Sequence, residues 1–148
     1  TILNPAPATS LPNNIFPLID VFSPNETEAA ALWGHPVDSI EQAAEAGSYF
    51  IERGVRNVIV TLGGKGAILC ARDNTVHIDS LSAGPVYETT GAGDAFNGAL
   101  AAALSEGLEP LPATVFANAA AAISVTRKGT TPAMPSRQDI DDFLKDNA

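Results

Sequence analysis

The sequence predicts an α/β fold, in which helices cover both faces of a mostly parallel, Rossmann-like sheet. Residues 58–62 form an apolar run without alternation, which is typical of a strand buried on both faces and therefore of a parallel sheet. Helical segments with capping residues at their starts lie on either side of this run. The 148 residues, 45% hydrophobic and 17% charged, suffice for one domain with a sizeable core. We therefore expect a three-layer αβα domain over residues 1–148.

Charge and cysteine content exclude several classes of protein. The net charge is −9, and the eight Lys and Arg residues are scattered, which argues against a nucleic-acid partner. Cys70 is the only cysteine, so an internal disulfide is impossible, and this favours a reducing compartment. No apolar stretch reaches membrane-spanning length and residues 1–20 contain no basic segment followed by an apolar region, so we expect neither membrane spanning nor export. We expect a cytoplasmic protein with no membrane partner.

The first part of the chain predicts two short strands, the first followed by an extended, proline-containing segment and the second by a helix. Pro5 and Pro7 forbid a helix after the strand-like start, and this extended exit could line a ligand cleft or be only a loop. Residues 21–24 form a short apolar strand, and the helix after it has Asn25 as N-cap and Glu28 at N3. The local pattern favours pure capping for these two residues, although both could also contact a ligand.

A second helix and a hairpin follow. Ser39 and Gln42 predict another capping box, and Gly54 ends this alanine-rich helix. After the buried strand 58–62, residues 67–71 and 75–78 flank a turn-rich gap and predict a hairpin. Within the hairpin we expect Cys70 to be a small core residue and His77 to be an ordinary strand side chain. His35, in an earlier loop, is also expected to be structural.

Two glycine turns are the candidate ligand sites. Residues 63–66 follow a strand end, where open α/β sheets bind ligands, but Gly66 replaces the Ser or Thr of a P-loop. Gly91 and Gly93 lead into an apolar helix whose first N–H groups would favour a phosphate. A third glycine is missing at Phe96, so this turn is not a dinucleotide fingerprint.

Asp94 is the candidate base. A carboxylate in the first turn of this helix would repel a bound phosphate, so proton abstraction from a nearby hydroxyl is one reason for its presence. The alternative is that Asp94 only caps the helix.

The last three predicted helices differ in how much polar surface they carry. The helix after Gly93 has an apolar stripe and small residues elsewhere, so we expect it to be deeply buried. The helix over residues 112–125 contains Asn118, which could reach a ligand or face solvent. Ser136 caps the final amphipathic helix.

Five motifs in order carry a resemblance: residues 4–8, 24–28, 61–66, 90–94 and 119–129. By them the chain resembles the C-terminal half of ribokinase-like proteins in the PfkB family of carbohydrate kinases. The resemblance implies ATP-dependent transfer of the γ-phosphate to the primary hydroxyl of a sugar, D-ribose first, with another furanose or hexose as the alternative. It also implies that the N-terminal half, which holds the sugar site and a lid used in homodimers, is absent, so we expect a fragment that alone is inactive. A nucleotide-binding module without turnover is the competing class.

The resemblance also implies roles for individual residues. Asp94 resembles the base that contacts the sugar, and the anion hole corresponds to Gly91, Ala92, Gly93 and Asp94. Besides Gly93 and Asp94, the ATP contacts correspond to Asn25, Thr61, Leu62, Gly63, Gly64, Lys65, Gly66 and Asn118. Glu28 resembles the carboxylate that organises Mg²⁺ through water.

The family's monovalent-cation loop, which would take K⁺ mostly on backbone carbonyls, corresponds to Glu88, Thr90, Ser124, Arg127, Gly129 and Ala133. The family usually has Asp at position 88 and often Ser at position 133, so this chain departs from the pattern at both.

Overall fold

The computed structural model describes residues 1–147, which form two compact units, Thr1–Asp79 and the residues from Ser80 onward. The first unit is an open five-stranded sheet with two helices. Its strands, which lie side by side in chain order, are β1 (Ile2–Leu3), β2 (Val21–Phe22), β3 (Asn57–Thr61), β4 (Ala67–Ala71) and β5 (Asn74–Ile78). The first three strands are parallel, whereas β4 runs antiparallel to β3 and β5. The α/β class is confirmed, with a mixed sheet.

Helices α1 (Glu26–Trp33) and α2 (Ile40–Glu52) complete the first unit. Side chains of β3 are fully buried on both faces of the sheet, as the run without alternation predicts: Val58, Ile59 and Val60. Phe22 and Phe50 pack edge to face, with ring centroids 4.9 Å apart, at the centre of the core. This burial on both faces gives the strand ends a rigid base.

Capping explains where these helices begin, with one correction. Asn25 and Glu28 form the predicted capping box of α1. At α2, Ser39 accepts a hydrogen bond from the Gln42 amide, but the Gln42 side chain accepts from the Asp38 N–H rather than from Ser39. The predicted reciprocal box is therefore wrong in its second half, and the bond reaches one residue further toward the N-terminus.

The predicted hairpin is confirmed, with β4 and β5 in register from Ala67↔Ile78 to Ala71↔Asn74. Cys70 is buried in it, and burial raises the pKa of its thiol, as expected for a core residue rather than a nucleophile. Gly47 of α2 faces this thiol so closely that a Cβ there would lie 2.3 Å from Cys70 Sγ.

The second unit is helical: α3 (Ala92–Ser105), α4 (Pro110–Ser124) and α5 (Arg137–Asp146). Helix α3 packs along α4, and α5 packs on α4. On α3 only part of the surface is covered, because Ala101 and Ala102 are exposed while Phe96 and Leu100 are buried. The expectation of a deeply buried helix is therefore wrong for one of its faces. Within residues 1–147, no helix is long and apolar enough to cross a membrane.

Candidate active site

The turn before α3 has the backbone geometry that a phosphate site needs. Gly91 is the N-cap of α3, with φ +85°, a conformation that favours glycine. The N–H of Ala92 already donates to the Thr89 carbonyl at 3.2 Å, and the N–H of Ala95 donates to the Gly91 carbonyl at 2.9 Å. In the described chain the N–H groups of Gly93 and Asp94 have no acceptor. The turn therefore offers two free amides to an anion, whereas the third predicted donor, the Ala92 N–H, is already bonded within the turn.

Asp94 occupies the N3 position of α3 and is exposed. Its carboxylate makes no hydrogen bond or ion pair within residues 1–147, and Gly91 lacks the side chain that a capping box requires. The interpretation of Asp94 as a side-chain cap is therefore not supported by any bond. Asp94 therefore combines an unpartnered carboxylate, which can act as a proton acceptor, with one of the two free amides of the turn.

The residues predicted for the cation loop lie around this turn in the second unit. Glu88 Oε2 accepts a hydrogen bond from the Gly129 N–H at 3.0 Å. Ser124 is buried, its hydroxyl donates to the Ala121 carbonyl at 2.8 Å, and its own carbonyl accepts from the Arg127 N–H at 3.1 Å. The structure thus joins the Glu88 and Gly129 segments directly.

The remaining loop residues are held in other ways. The Arg127 guanidinium donates to Asp139 at 3.1 Å, so this side chain belongs to the start of α5. The Ala133 amide donates to the Thr130 carbonyl at 3.0 Å, and Ala133 is buried. Thr90 is exposed.

Thr130 and Met134 are neighbours of the turn that the sequence interpretation missed. A Cβ on Gly91 would lie 3.4 Å from Thr130 Cγ2 and 3.6 Å from Met134 Cε. The loop after Gly129 therefore packs against the turn before α3. The available signal was Gly129 itself, whose φ of +87° bends the chain back at this point.

Asn118 of α4 is 7% exposed. The alternative that it faces solvent is therefore wrong, and the prediction of an ATP contact stays a prediction.

Asp94 also lines a largely apolar cavity of about 320 Å³ in the second unit, together with Phe116, Ala120, Met134 and Ile140.

In the first unit, the predicted nucleotide residues gather at the ends of β2 and β3. Asn25 and Thr61 form a parallel bridge, and the Thr61 N–H donates to the Pro24 carbonyl at 3.0 Å. Asn25 Oδ1 accepts from the Glu28 N–H at 2.8 Å, and Glu28 Oε2 accepts from the Asn25 N–H at 2.9 Å. Capping thus occupies one oxygen of each side chain and leaves the exposed Asn25 amide nitrogen available.

Residues 63–65 form a 3-10 turn that reverses the chain between β3 and β4. The Leu62 N–H donates to the Gly66 carbonyl at 2.8 Å and closes the turn, while Gly63, Gly64 and Lys65 are exposed. Lys65 Nζ donates to the Asp38 carbonyl at 3.0 Å. His77 Nε2 donates to the Lys65 carbonyl at 2.7 Å, so this histidine supports the turn, a positioning role that the sequence interpretation missed.

Residues 1–147 contain no group of three or more His, Cys, Asp or Glu side chains that could hold a metal ion by themselves. Glu28 is a single, mostly buried carboxylate with Oε1 outside the capping box. One carboxylate fits Mg²⁺, which usually keeps several waters and takes its other ligands from substrate phosphates. The residues present therefore fit a metal that arrives with a nucleotide.

Comparison with known proteins gives concordant results. The profile described as pfkB family carbohydrate kinase matches residues 1–137. A ribokinase of Haemophilus influenzae is 41% identical over 144 residues, which cover 97% of this chain and 47% of the relative. The chain therefore spans about half the length of the curated relatives it matches.

Solved structures agree in fold. The Arabidopsis thaliana ribokinase complexed with ribose and ATP has a TM-score of 0.91 and 38% identity, covering 97% of this chain and 47% of that one. A putative ribokinase II from E. coli, in complex with ATP and Mg²⁺, has a TM-score of 0.77 and 31% identity, covering 90% and 42%.

Proposed function

Because the chain belongs to the pfkB family of carbohydrate kinases, we propose that it supplies the phosphoryl-transfer machinery of an ATP-dependent sugar kinase, acting on the primary hydroxyl of D-ribose. The observation that carries the proposal is the unpartnered Asp94 carboxylate, placed beside the free amides of Gly93 and Asp94 on one helix turn. The choice of ribose is supported by relatives named ribokinases, one of them solved with ribose and ATP.

The proposed mechanism divides the work between two groups of residues. In the second unit, Asp94 accepts the proton of the sugar hydroxyl, which then attacks the γ-phosphorus as the bond to the β-phosphate oxygen breaks. The amides of Gly93 and Asp94 stabilise the charge on the phosphoryl oxygens. In the first unit, Asn25 and the turn over residues 61–66 contact the nucleotide.

Cofactors follow from the same assignment. Glu28 would help to hold Mg²⁺, which neutralises phosphate charge when it is bound. The carbonyls and carboxylate of the loop containing Glu88, Ser124 and Gly129 would hold K⁺. The K⁺ proposal is tested by the melting temperature of the chain in K⁺ and in N-methylglucamine at equal ionic strength; equal melting temperatures would leave the loop without a cation role.

The activity is tested with a chimera in which residues 1–148 replace the matching segment of the Haemophilus influenzae ribokinase. Since the sugar pocket then comes from the relative, the chimera reports on the transfer step alone. We expect ATP-dependent formation of ribose 5-phosphate, with a turnover in the range of about 1–100 s⁻¹ typical of kinases. Residues 1–148 by themselves should give no turnover, because positioning of the hydroxyl supplies much of the rate enhancement.

A chimera that folds and binds ATP yet transfers phosphate to no sugar would support the alternative, a nucleotide-binding module without turnover. Transfer by residues 1–148 alone at the rate of the intact relative would contradict the proposed division of labour. Cytoplasmic localisation and assembly as a homodimer stay predictions.

A further inference from the structure

Glu88 joins two segments that are 41 residues apart in the sequence. Its backbone N–H donates to the Val125 carbonyl at 3.1 Å, and the Tyr87 N–H donates to the same carbonyl at 2.7 Å. The side chain of Glu88 contacts the same segment four residues later, where Oε2 accepts a hydrogen bond from the Gly129 N–H at 3.0 Å. Backbone and side chain of one residue therefore hold both ends of the 125–129 segment.

Gly129 leads directly to the contacts with the turn before α3. It has φ +87°, and the methyl group of the next residue, Thr130, lies 3.4 Å from the position that a Cβ on Gly91 would occupy. Met134, the residue directly after the short 3-10 helix Thr131–Ala133, places Cε 3.6 Å from the same Cβ position. A shift of Gly129 would therefore move the side chains of Thr130 and Met134, which pack against the turn at Gly91.

We propose that Glu88 is a positioning residue, whose carboxylate fixes Gly129 and, through Thr130, the turn that presents the amides of Gly93 and Asp94. A hydrogen bond to a charged acceptor is stronger than a neutral one, and half-burial of Glu88 limits competition by water. Only Oε2 is used in this bond, so Oε1 stays free for other ligands. The inference rests on the proposed function only in naming the turn as an anion hole.

Side-chain length is part of the inference. Aspartate at position 88 would be shorter by one methylene, about 1.5 Å, so we expect it to lose most of the contact with Gly129 N from the same backbone position. Glutamine keeps both the length and an acceptor oxygen. The two conservative substitutions therefore have opposite expected effects, which a simple loss of negative charge would not produce.

The test is NMR spectroscopy of the 148-residue chain, with N-methylglucamine as the only monovalent cation so that no small cation substitutes for the carboxylate. The variants are Glu88→Ala, Glu88→Asp and Glu88→Gln. The control is Glu109→Ala, which removes an exposed carboxylate that makes no capping bond at the start of α4. The readouts are hydrogen exchange of the Gly129 amide and the amide shifts of Gly93 and Asp94.

We expect Gly129 to exchange at least about tenfold faster in the alanine and aspartate variants, the loss typical of a hydrogen bond to a charged group. Glutamine should restore most of the protection, and the Gly93 and Asp94 shifts should follow the same order. Unchanged Gly129 exchange in Glu88→Ala would overturn the inference, as would a Gly129 response that leaves Gly93 and Asp94 at their wild-type shifts. If the alanine variant unfolds, the comparison of aspartate with glutamine decides the matter by the same criteria.

Discussion

Alanine at Gly91 and alanine at Gly93 should have opposite effects on stability, although the two glycines are separated by one residue. Gly91 has φ +85°, a conformation that costs an alanine about 1–2 kcal/mol. The new methyl group would also lie 3.4 Å from Thr130 Cγ2, so the loop cannot relieve the strain by moving inward. We expect Gly91→Ala to lower the free energy of unfolding by about 1–2 kcal/mol, or roughly 3–8 °C in melting temperature.

Gly93 lies inside α3, and apart from its chain neighbours and the helix backbone nothing in the described chain comes within 4 Å of the position that its Cβ would occupy. Alanine should therefore stabilise the fold by up to about 1 kcal/mol, because it favours the helix more than glycine does. The same methyl group would stand in the open space beside the free amides, where the γ-phosphate is proposed to bind. Loss of one charge-assisted hydrogen bond, about 1.5–3 kcal/mol, would weaken ATP binding by roughly 10–100-fold, while ADP binding should change little.

The assays are urea denaturation of the 148-residue chain and calorimetric titration with ATP and ADP, with the wild-type chain as the reference in each. A destabilised Gly93→Ala protein would show that Gly93 is needed for folding. Unchanged ATP binding by this variant would place the γ-phosphate elsewhere. A Gly91→Ala protein as stable as wild type would refute the left-handed conformation assigned to the turn.

Two further predictions concern packing and pH. Gly47→Ala should destabilise the first unit by about 1–3 kcal/mol, because its Cβ would lie 2.3 Å from Cys70 Sγ. The double variant Gly47→Ala, Cys70→Ala should recover part of the lost free energy of unfolding in urea denaturation. If the losses of the two single variants simply add in the double variant, the contact between residues 47 and 70 is contradicted. The Ser136 N–H, followed by Arg127, lowers the pKa of Asp139 below its ordinary value of 3.8. The stabilisation by the ionised Asp139 is therefore complete above pH 3.8 and is lost as the pH falls through the lower, folded-state pKa. Asp139→Asn should make the urea midpoint less dependent on pH over the acidic range of about pH 5 to 2, in which such a carboxyl group titrates. An equal pH dependence in both proteins would refute the assignment.

Features encoded by neighbouring residues were predictable from the sequence. The predicted capping box of α1 and the predicted cap of α5 by Ser136 both involve residues three apart, and both are present. The β4–β5 hairpin depends on a turn between adjacent strands, and its predicted position is confirmed. The family resemblance depends on motifs in a fixed order, and it is confirmed by the matching profile and relatives.

Features that depend on distant residues were not predictable in the same way. The turn over residues 63–66 was interpreted as a ligand-binding turn, but it also reverses the chain, so β4 runs antiparallel to β3. The bond from Gly129 to Glu88 spans 41 positions, and no local pattern indicates it. The Ala92 amide looked available to a ligand until the structure showed its donation to Thr89. Periodicity identifies elements, but their long-range partners depend on the three-dimensional path of the chain.

The central claim, that Asp94 is the base, is tested most directly by Asp94→Asn in the Haemophilus influenzae chimera. Asparagine has nearly the same shape but cannot accept the proton, and loss of a general base typically lowers the rate by about 10²–10⁴-fold. Because Asp94 makes no capping bond, the free energy of unfolding from urea denaturation should change by well under the roughly 1 kcal/mol of a lost cap. ATP affinity should be retained or improved, since a carboxylate near the γ-phosphate is removed. The account predicts that kcat falls by this factor while stability and ATP affinity are kept; a kcat close to that of the unsubstituted chimera would contradict it.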